Sequence, residues 1–391
     1  MNIVYVLNST IPNGGATKAF INMLTGLIYL GVHPFVIVPD VNGIYQSLKE
    51  KKISVIAIPY RSCAYPRLRI LKDYFYFIPK LIARIIINKR AEKQLAKLLI
   101  KEHIDLVHTN VGIISIGYRA SRKAKIPHIY HIREYGDIDF GIHYYPNKTA
   151  FWKQLKSPNS YSICITKGVQ EYHQQKGKST SRVIYDGVFP FKSQMPKEDK
   201  KNYFLFAGRI QYAKGVDELL VAYKTYFSLS KHPLHLLIAG DITDPIYYKQ
   251  QKRFIEEHKL NEYITFLGEV DNITALMKQA RALIVSSRNE GFGFCMPEAM
   301  QQGCLTIAHN TGGTKEQLDN AFEIVHREIA LRYETTEDLS HLLAEVERHS
   351  INYYKSYIEQ AFLVVNKLYT NENNYQQVFN FYNDIRNDCH H

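Results

Sequence analysis

The feature that most constrains this 391-residue chain is an alternation of short apolar runs with longer helical patterns, played twice. In the first half, apolar runs at 3–7, 36–38, 55–58, 105–108, 126–132, 162–165 and 182–184 read as strands, with a helical pattern from 18 to 30. After a polar stretch the alternation restarts, with a strand at 203–207 and a helix at about 216–227. Further strands follow at 234–239, 264–267, 282–285 and 305–308, and 340–386 reads as helical. Strands alternating with helices pair in parallel and are covered on both faces. The expected fold is therefore α/β, with two Rossmann-like doubly wound parallel-sheet domains facing across a cleft.

The stretch 189–202 holds Pro190, Pro196 and a Lys/Asp/Glu cluster with little apolar periodicity, and reads as the linker. The expected division is 1–190, 200–370, and a helical tail at 371–391 that packs back on the first domain. Ligands of such sheets sit beyond the carboxyl ends of the strands, so the cleft between the units is the expected site.

Net charge is +12, unevenly spread. Residues 1–190 hold 27 Lys/Arg against 11 Asp/Glu, whereas 191–391 hold 22 against 26. A basic half beside a mildly acidic one implies that the first domain meets an anionic partner. Cations and bulky apolar groups alternate from Pro66 to Lys101, including Arg67, Arg69, Lys72, Lys80, Arg84, Lys89, Arg90, Lys93 and Lys97. That pattern suits an anionic membrane surface, and equally an ordinary amphipathic helix with a solvated basic face. No nucleic-acid motif accompanies it, and nucleic acid is not expected as a partner.

Five cysteines without C-x-x-C spacing imply reduced thiols and no zinc site. The first residues read as a strand rather than a signal peptide, and no run nears the ~18–20 apolar residues of a membrane span. A cytoplasmic protein held peripherally at the inner face of the membrane is expected.

Three loops carry the chemistry. The strongest is Asn289-Glu290-Gly291-Phe292-Gly293-Phe294-Cys295-Met296-Pro297-Glu298, which leaves the strand at 282–285 and enters a helix near Pro297. Its glycines permit a tight turn and close backbone approach, and a helix start favours phosphate oxygens. Glu290 and Glu298 supply acceptors for sugar and ribose hydroxyls. The second loop, Gly208 to Gly215, places Arg209 and Lys214 five apart after the strand at 203–207, so both cations converge on phosphates. The third, Asn310-Thr311-Gly312-Gly313-Thr314-Lys315-Glu316, follows the strand at 305–308.

Together these loops resemble the retaining glycosyltransferases of the GT-B fold, family 4, also called group 1. The resemblance covers nearly the whole chain and is most specific from Gly208 to Glu316. It implies that Arg209 and Lys214 hold the donor diphosphate, Glu290 the transferred sugar and Glu298 the ribose. It implies further that Phe292, Gly293 and Phe294 face sugar and phosphate, and that Gly268 and Val270 lie in the loop cradling the base. Gly14 and Gly15, after the first strand, correspond to a glycine loop near the donor phosphate, and His131 to a histidine near the donor sugar. Arg133 and Glu134 depart from the family pattern and either bind acceptor hydroxyls, the role assigned to them, or pair with each other. Asp137-Ile138-Asp139 spells a D-x-D, discounted as a metal site because the two cations already supply positive charge. No metal or cofactor is expected beyond the nucleotide diphosphate sugar.

The function expected is retaining hexosyl transfer from a nucleotide diphosphate sugar, UDP-sugar favoured, to a lipid-linked or saccharide acceptor in surface polysaccharide assembly, in the manner of capsule or exopolysaccharide synthesis. The alternatives are a soluble transferase acting on a small sugar or sugar phosphate, and a catalytically silent nucleotide-sugar-binding protein. A dinucleotide oxidoreductase lacks its G-x-G-x-x-G.

Overall fold

A computed structural model describes residues 1–11, 14–66 and 71–388, with the side chains of 66 and 71–74 left aside. Pro12, Asn13, Arg67, Arg69, Cys389 and the side chain of Lys72 fall outside the described residues. Two compact units emerge: Met1–Gly187 together with Asn371–His391, and Val188–Thr370.

The first unit is built on a seven-stranded parallel sheet. Its order is Ser54–Ala57, His33–Val38, Asn2–Val6, Leu106–Thr109, His128–Ile132, Ser160–Cys164, Ser181–Val183. The strands at Leu106–Thr109, His128–Ile132 and Ser160–Cys164 are buried at every position, as strands covered on both faces must be. Helix Leu71–Lys101 and helix Ile116–Ala124 pack on each other on one side. On the other, helix Gly15–Tyr29 packs against the C-terminal helix Asn371–Asp388, whose Val378, Phe381, Tyr382 and Ile385 enter the core. A two-stranded antiparallel pair, Ala64–Pro66 with Ile142–Tyr144, was not foreseen. At three residues per strand, its pattern is too short to read.

The second unit is a six-stranded parallel sheet in the order Ile264–Gly268, His235–Ala239, Tyr203–Ala207, Ala282–Val285, Thr306–His309, Leu331–Tyr333. The strands at 203–207 and 282–285 lie where their sequences place them. The sixth strand, also three residues long, went unrecognised. Sequence order along this sheet runs 3-2-1-4-5-6, so strand order reverses between Tyr203–Ala207 and Ala282–Val285. That is the switch point at which doubly wound sheets open a crevice beyond their carboxyl ends.

Residues 188–202 are not a loose tether. Val188 N–H donates to Tyr369 O at 2.9 Å, Gln301 Nε2 donates to Pro190 O at 2.8 Å, and Lys192 N–H donates to Asn366 Oδ1 at 3.0 Å. The chain passes between units at 187–188 and again at 370–371. Tyrosine carries much of the packing, and two of the buried hydroxyls find close acceptors: Tyr223 donates to Leu234 O at 2.6 Å and Tyr226 to Glu347 at 2.6 Å.

Candidate active site

At the switch point of the second unit, the strand Tyr203–Ala207 runs into a single 3-10 turn, Tyr212–Lys214, closed by Gly215. Gly215 has φ +65°, and a Cβ there would lie 2.0 Å from Ser286 O, at the end of the neighbouring strand Ala282–Val285. Glycine thus lets one loop press against the other. Ser286 Oγ then donates to Lys214 O at 3.0 Å, placing the lysine over the second loop.

There Lys214 Nζ forms an ion pair with Glu290 Oε1, their side chains 18% and 13% exposed. Ser287 Oγ donates to the same carboxylate oxygen at 2.7 Å. Glu290 is further fixed by its backbone, whose carbonyl accepts from Gly313 N–H at 2.8 Å. Gly313 has no room for a side chain: a Cβ would come within 2.6 Å of Phe292 O. Gln317 Nε2 donates to that same Phe292 carbonyl at 2.6 Å and reaches Gly293 O at 3.3 Å. Phe292 is buried against Phe294 and Tyr369, with ring centroids 5.5 and 5.3 Å apart. The glycine pair of the third loop is thereby stitched to the 289–294 turn.

Helix Cys295–Gln301 begins immediately beyond, with Phe294 at its N-cap and Glu298 in its first turn. Burial pushes the Cys295 thiol up to about 12, and the nearby Glu290 carboxylate adds to that while Lys214 opposes it. The Glu298 carboxylate also pushes the thiol of the half-buried Cys295 upward, in the same direction as Glu290. Arg209 is exposed on its loop, two residues beyond the strand. Gly268 ends the edge strand, two strands out from Tyr203–Ala207, its carbonyl accepting from Gly240 N–H at 2.7 Å, and Val270 is half-buried.

Sequence reasoning missed Arg288. Its guanidinium bonds Asp217 through two nitrogens at 2.9 and 2.7 Å, reaches Glu218 at 3.0 Å, and stacks 4.0 Å over the Tyr212 ring. Its N–H donates to Ala213 O at 3.0 Å. Those carboxylates hold the guanidinium charged well beyond its usual range, despite partial burial. Arg288 therefore clamps the turn that carries Lys214. The signal was a cation two residues before Glu290, legible only with Asp217 and Glu218 recognised as its partners across the switch point.

The first unit gathers a second cluster around its own switch point, between Asn2–Val6 and Leu106–Thr109. Gly14 caps helix Gly15–Tyr29, accepting from Thr17 N–H and Lys18 N–H at 3.0 and 2.9 Å. Asn110 Nδ2 donates to Ala16 O at 3.1 Å and ties this helix start to Arg133. Arg133 in turn donates to Asn110 O and Oδ1, both at 3.3 Å, and pairs with Asp186. A guanidinium donates only, so its 3.2 Å contact to His131 makes Nδ1 of that histidine the acceptor. His108 Nε2, 3.1 Å from the same nitrogen, must then donate, and His108 Nδ1 accepts from Tyr382 Oη at 2.6 Å. The remaining proton of His131 is on Nε2, which has no hydrogen-bond partner among the described residues and lies 3.8 Å from Asp186 Oδ1. Burial, and the Arg133 charge beside them, push both imidazoles well below their usual range.

Arg133 and Glu134, assigned to acceptor hydroxyls from sequence, are instead 8% and 5% exposed with internal partners. Glu134 Oε1 accepts from Gly112 N–H at 2.9 Å and Oε2 from Arg133 N–H at 3.2 Å, and burial raises its carboxyl to about 7. The D-x-D splits in two: Asp139 accepts from the N–H groups of Tyr135 and Gly136 at 2.9 and 2.7 Å, whereas Asp137 pairs with Lys148 at 2.9 Å. Cys63, Cys164, Cys295 and Cys304 are free thiols.

Two parallel-sheet α/β units, each with a switch point in its strand order, define a pair of doubly wound folds, and comparison with known proteins narrows the class. HepE of Anabaena, solved in complex with UDP, superposes with TM-score 0.75 over 98% of this chain and 100% of its own, at 16% identity. The fold is GT-B. Residues 189–363 match the model of the family described as glycosyl transferases group 1. The uncharacterized glycosyltransferase MJ1178 of Methanocaldococcus jannaschii is 28% identical over 219 residues, 55% of this chain and 58% of that protein. The capsular polysaccharide biosynthesis glycosyltransferase CapH of Staphylococcus aureus is 24% identical over 241 residues, 58% of this chain and 67% of its own. The chain thus spans little more than half the length of the first of these relatives.

Proposed function

We propose that the chain is a retaining hexosyltransferase of family 4 that uses a nucleotide diphosphate sugar, UDP-sugar favoured, and acts on a lipid-linked or saccharide acceptor in surface polysaccharide assembly. The observation that carries the reading is the Lys214–Glu290 pair, held by Ser287 and Gly313 at the switch point of the second unit. An ammonium has three donors and one is used on Glu290, leaving two for diphosphate oxygens. Arg209, five residues earlier on an exposed loop, adds a forked donor. Charge that builds on the departing diphosphate is stabilised by these fixed cations, which need no reorganisation at the moment of reaction. Glu290 orients the sugar, Glu298 takes the ribose hydroxyls, and the turn from Phe292 to Phe294 lines the sugar and phosphate. Gly268 and Val270 receive the base. In the first unit, Gly14 and Gly15 are assigned to the donor phosphate and His131 to the donor sugar, while Arg133 and Glu134, with their internal partners, brace the loops around them. The acceptor hydroxyl attacks from the face the diphosphate leaves, which retains configuration, and no metal is required.

HepE binds UDP and UDP-glucose in its crystals, and CapH is named for capsule synthesis. Both favour a UDP-sugar and a surface polysaccharide. Peripheral attachment to the cytoplasmic face of a membrane is supported by helix Leu71–Lys101. Phe75, Ile78, Ile82 and Ile86 form an exposed apolar stripe on it, flanked by exposed Lys80, Lys89, Arg90 and Lys93. No helix among the described residues is long and apolar enough to cross a membrane. The test is a panel of UDP-, GDP- and ADP-sugars scored by thermal stabilisation and donor hydrolysis. UDP-sugars should raise Tm and release UDP, and no response to any nucleotide sugar would overturn the reading.

A further inference from the structure

The acceptor side of the reading above leaves a chemical gap, because Arg133 and Glu134 are consumed internally. A separate pocket on the first unit, about 280 Å³ in volume, has the chemistry to fill it. Cys63 and Ser115 in its lining belong to the segments that follow strands Ser54–Ala57 and Leu106–Thr109. Arg84 and Asn88 enter it from helix Leu71–Lys101, Ser115 and Arg119 from the start of helix Ile116–Ala124, and Cys63 and Tyr145 from the loops between.

The walls are built rather than incidental. Cys63 N–H donates to Ile113 O at 2.7 Å, and Tyr145 N–H donates to Cys63 O at 2.7 Å. Asn88 clamps Arg61 from both sides, accepting from its N–H at 2.8 Å and donating to its carbonyl at 2.9 Å. Arg84 Nη1 donates to Ala64 O at 2.6 Å, which aims the guanidinium and spends one of its five donors. Arg119 makes no side-chain hydrogen bond or ion pair among the described residues. Cys63 Sγ and Ser115 Oγ sit 2.8 Å apart on the floor. No lining residue is acidic, and Ile85 and Pro146 close one side with apolar surface.

Two guanidiniums from separate helices, a hydroxyl and no carboxylate complement a tetrahedral oxyanion. We propose that this pocket binds a phosphate group carried by the acceptor, with Arg84 and Arg119 forked onto its oxygens and Ser115 donating to a third. The role as acceptor site rests on the transferase reading, whereas the affinity for phosphate rests on the pocket alone.

Cys63 is a built-in reporter, since an occupant of the pocket covers it. The full chain is treated with N-ethylmaleimide and modification of the Cys63 peptide is followed by mass spectrometry. Dodecyl phosphate, inorganic phosphate and the neutral amphiphile dodecyl maltoside are compared as protectants. A phosphate probe should slow Cys63 modification about tenfold at saturation while dodecyl maltoside leaves it unchanged. Arg119→Gln, exposed and unbonded, should raise the concentration needed by about tenfold, the worth of one charge-assisted hydrogen bond. Stronger protection by dodecyl phosphate identifies a lipid-linked source, and equal protection a soluble sugar phosphate; both sustain the phosphate pocket. No protection by either phosphate, or protection unchanged in Arg119→Gln, overturns it. Thermal stabilisation by UDP is read on the same sample. Protection without a UDP response sinks the transferase reading and keeps the anion pocket, and a UDP response without protection does the reverse.

Discussion

Replacing Lys214 by Met separates what its ion pair does for the fold from what it does for the reaction. Two unit charges at contact, ~3 Å apart in an effective dielectric of ~20, attract by about 5 kcal/mol before desolvation. With side chains 18% and 13% exposed, most of that gain is offset by lost hydration, and the pair's net worth is small. Breaking it is another matter, because Glu290 is left in a nearly closed site with only the Ser287 hydroxyl at 2.7 Å to solvate it. Lys214→Met should therefore cost about 2 kcal/mol, less than the ~3–5 kcal/mol of a fully buried pair. Adding Glu290→Gln removes the stranded charge and should return about half of that loss, a coupling measurable in a double-mutant cycle by urea unfolding. Activity should behave in the opposite way. Lys214→Met should lower turnover of the nucleotide sugar about 10²–10³-fold, as loss of a preorganised charge does, and the double variant should recover none of it. If stability did not recover in the double variant, the two groups would not be coupled in solution. If Lys214→Met turned over donor near the wild-type rate, its place on the diphosphate would be lost.

Three other outcomes follow from the geometry. Glu134, raised to about 7 by burial, binds its proton more tightly folded than unfolded, so it lowers stability as pH rises from about 4.5 to 7. Glu134→Gln should flatten that slope, worth about 3 kcal/mol in all, and equal slopes in pH-dependent unfolding would show that the carboxyl is not perturbed. Gly313→Ala forces a methyl within 2.6 Å of Phe292 O and should cost about 1–3 kcal/mol together with donor affinity, both read from Tm with and without UDP. Arg288→Met unclamps the turn carrying Lys214; KM for donor should rise more than kcat falls, and an unchanged KM would deny Arg288 a positioning role.

Parallel strands buried on both faces are rich in apolar residues, and Tyr203–Ala207 and Ala282–Val285, apolar at every position, announce themselves in a run of letters. Leu331–Tyr333 and Ala64–Pro66, each three residues without a continuous aliphatic run, do not. The same divide runs through the site. Lys214, Glu290 and the glycine pair Gly312-Gly313 are legible because each follows a recognisable strand, and sheet topology obliges loops after parallel strands to share an edge. Arg288 was not legible, since a lone cation declares nothing until Asp217, 71 residues earlier in the chain, is placed beside it.

The sequence by itself determined the α/β layering, the match of residues 189–363 to a family model and which glycine-bearing loops follow parallel strands, because periodicity and glycine turns are local properties. Only the tertiary structure decided which polar groups are spent and which remain. Arg133 and Glu134 look like surface chemistry in the sequence and are internal bracing in the fold, whereas Arg84 and Arg119, 35 positions apart, line one pocket. Burial and partnership are set by residues distant in the chain, and burial decides whether a charge acts on a ligand or on the protein itself.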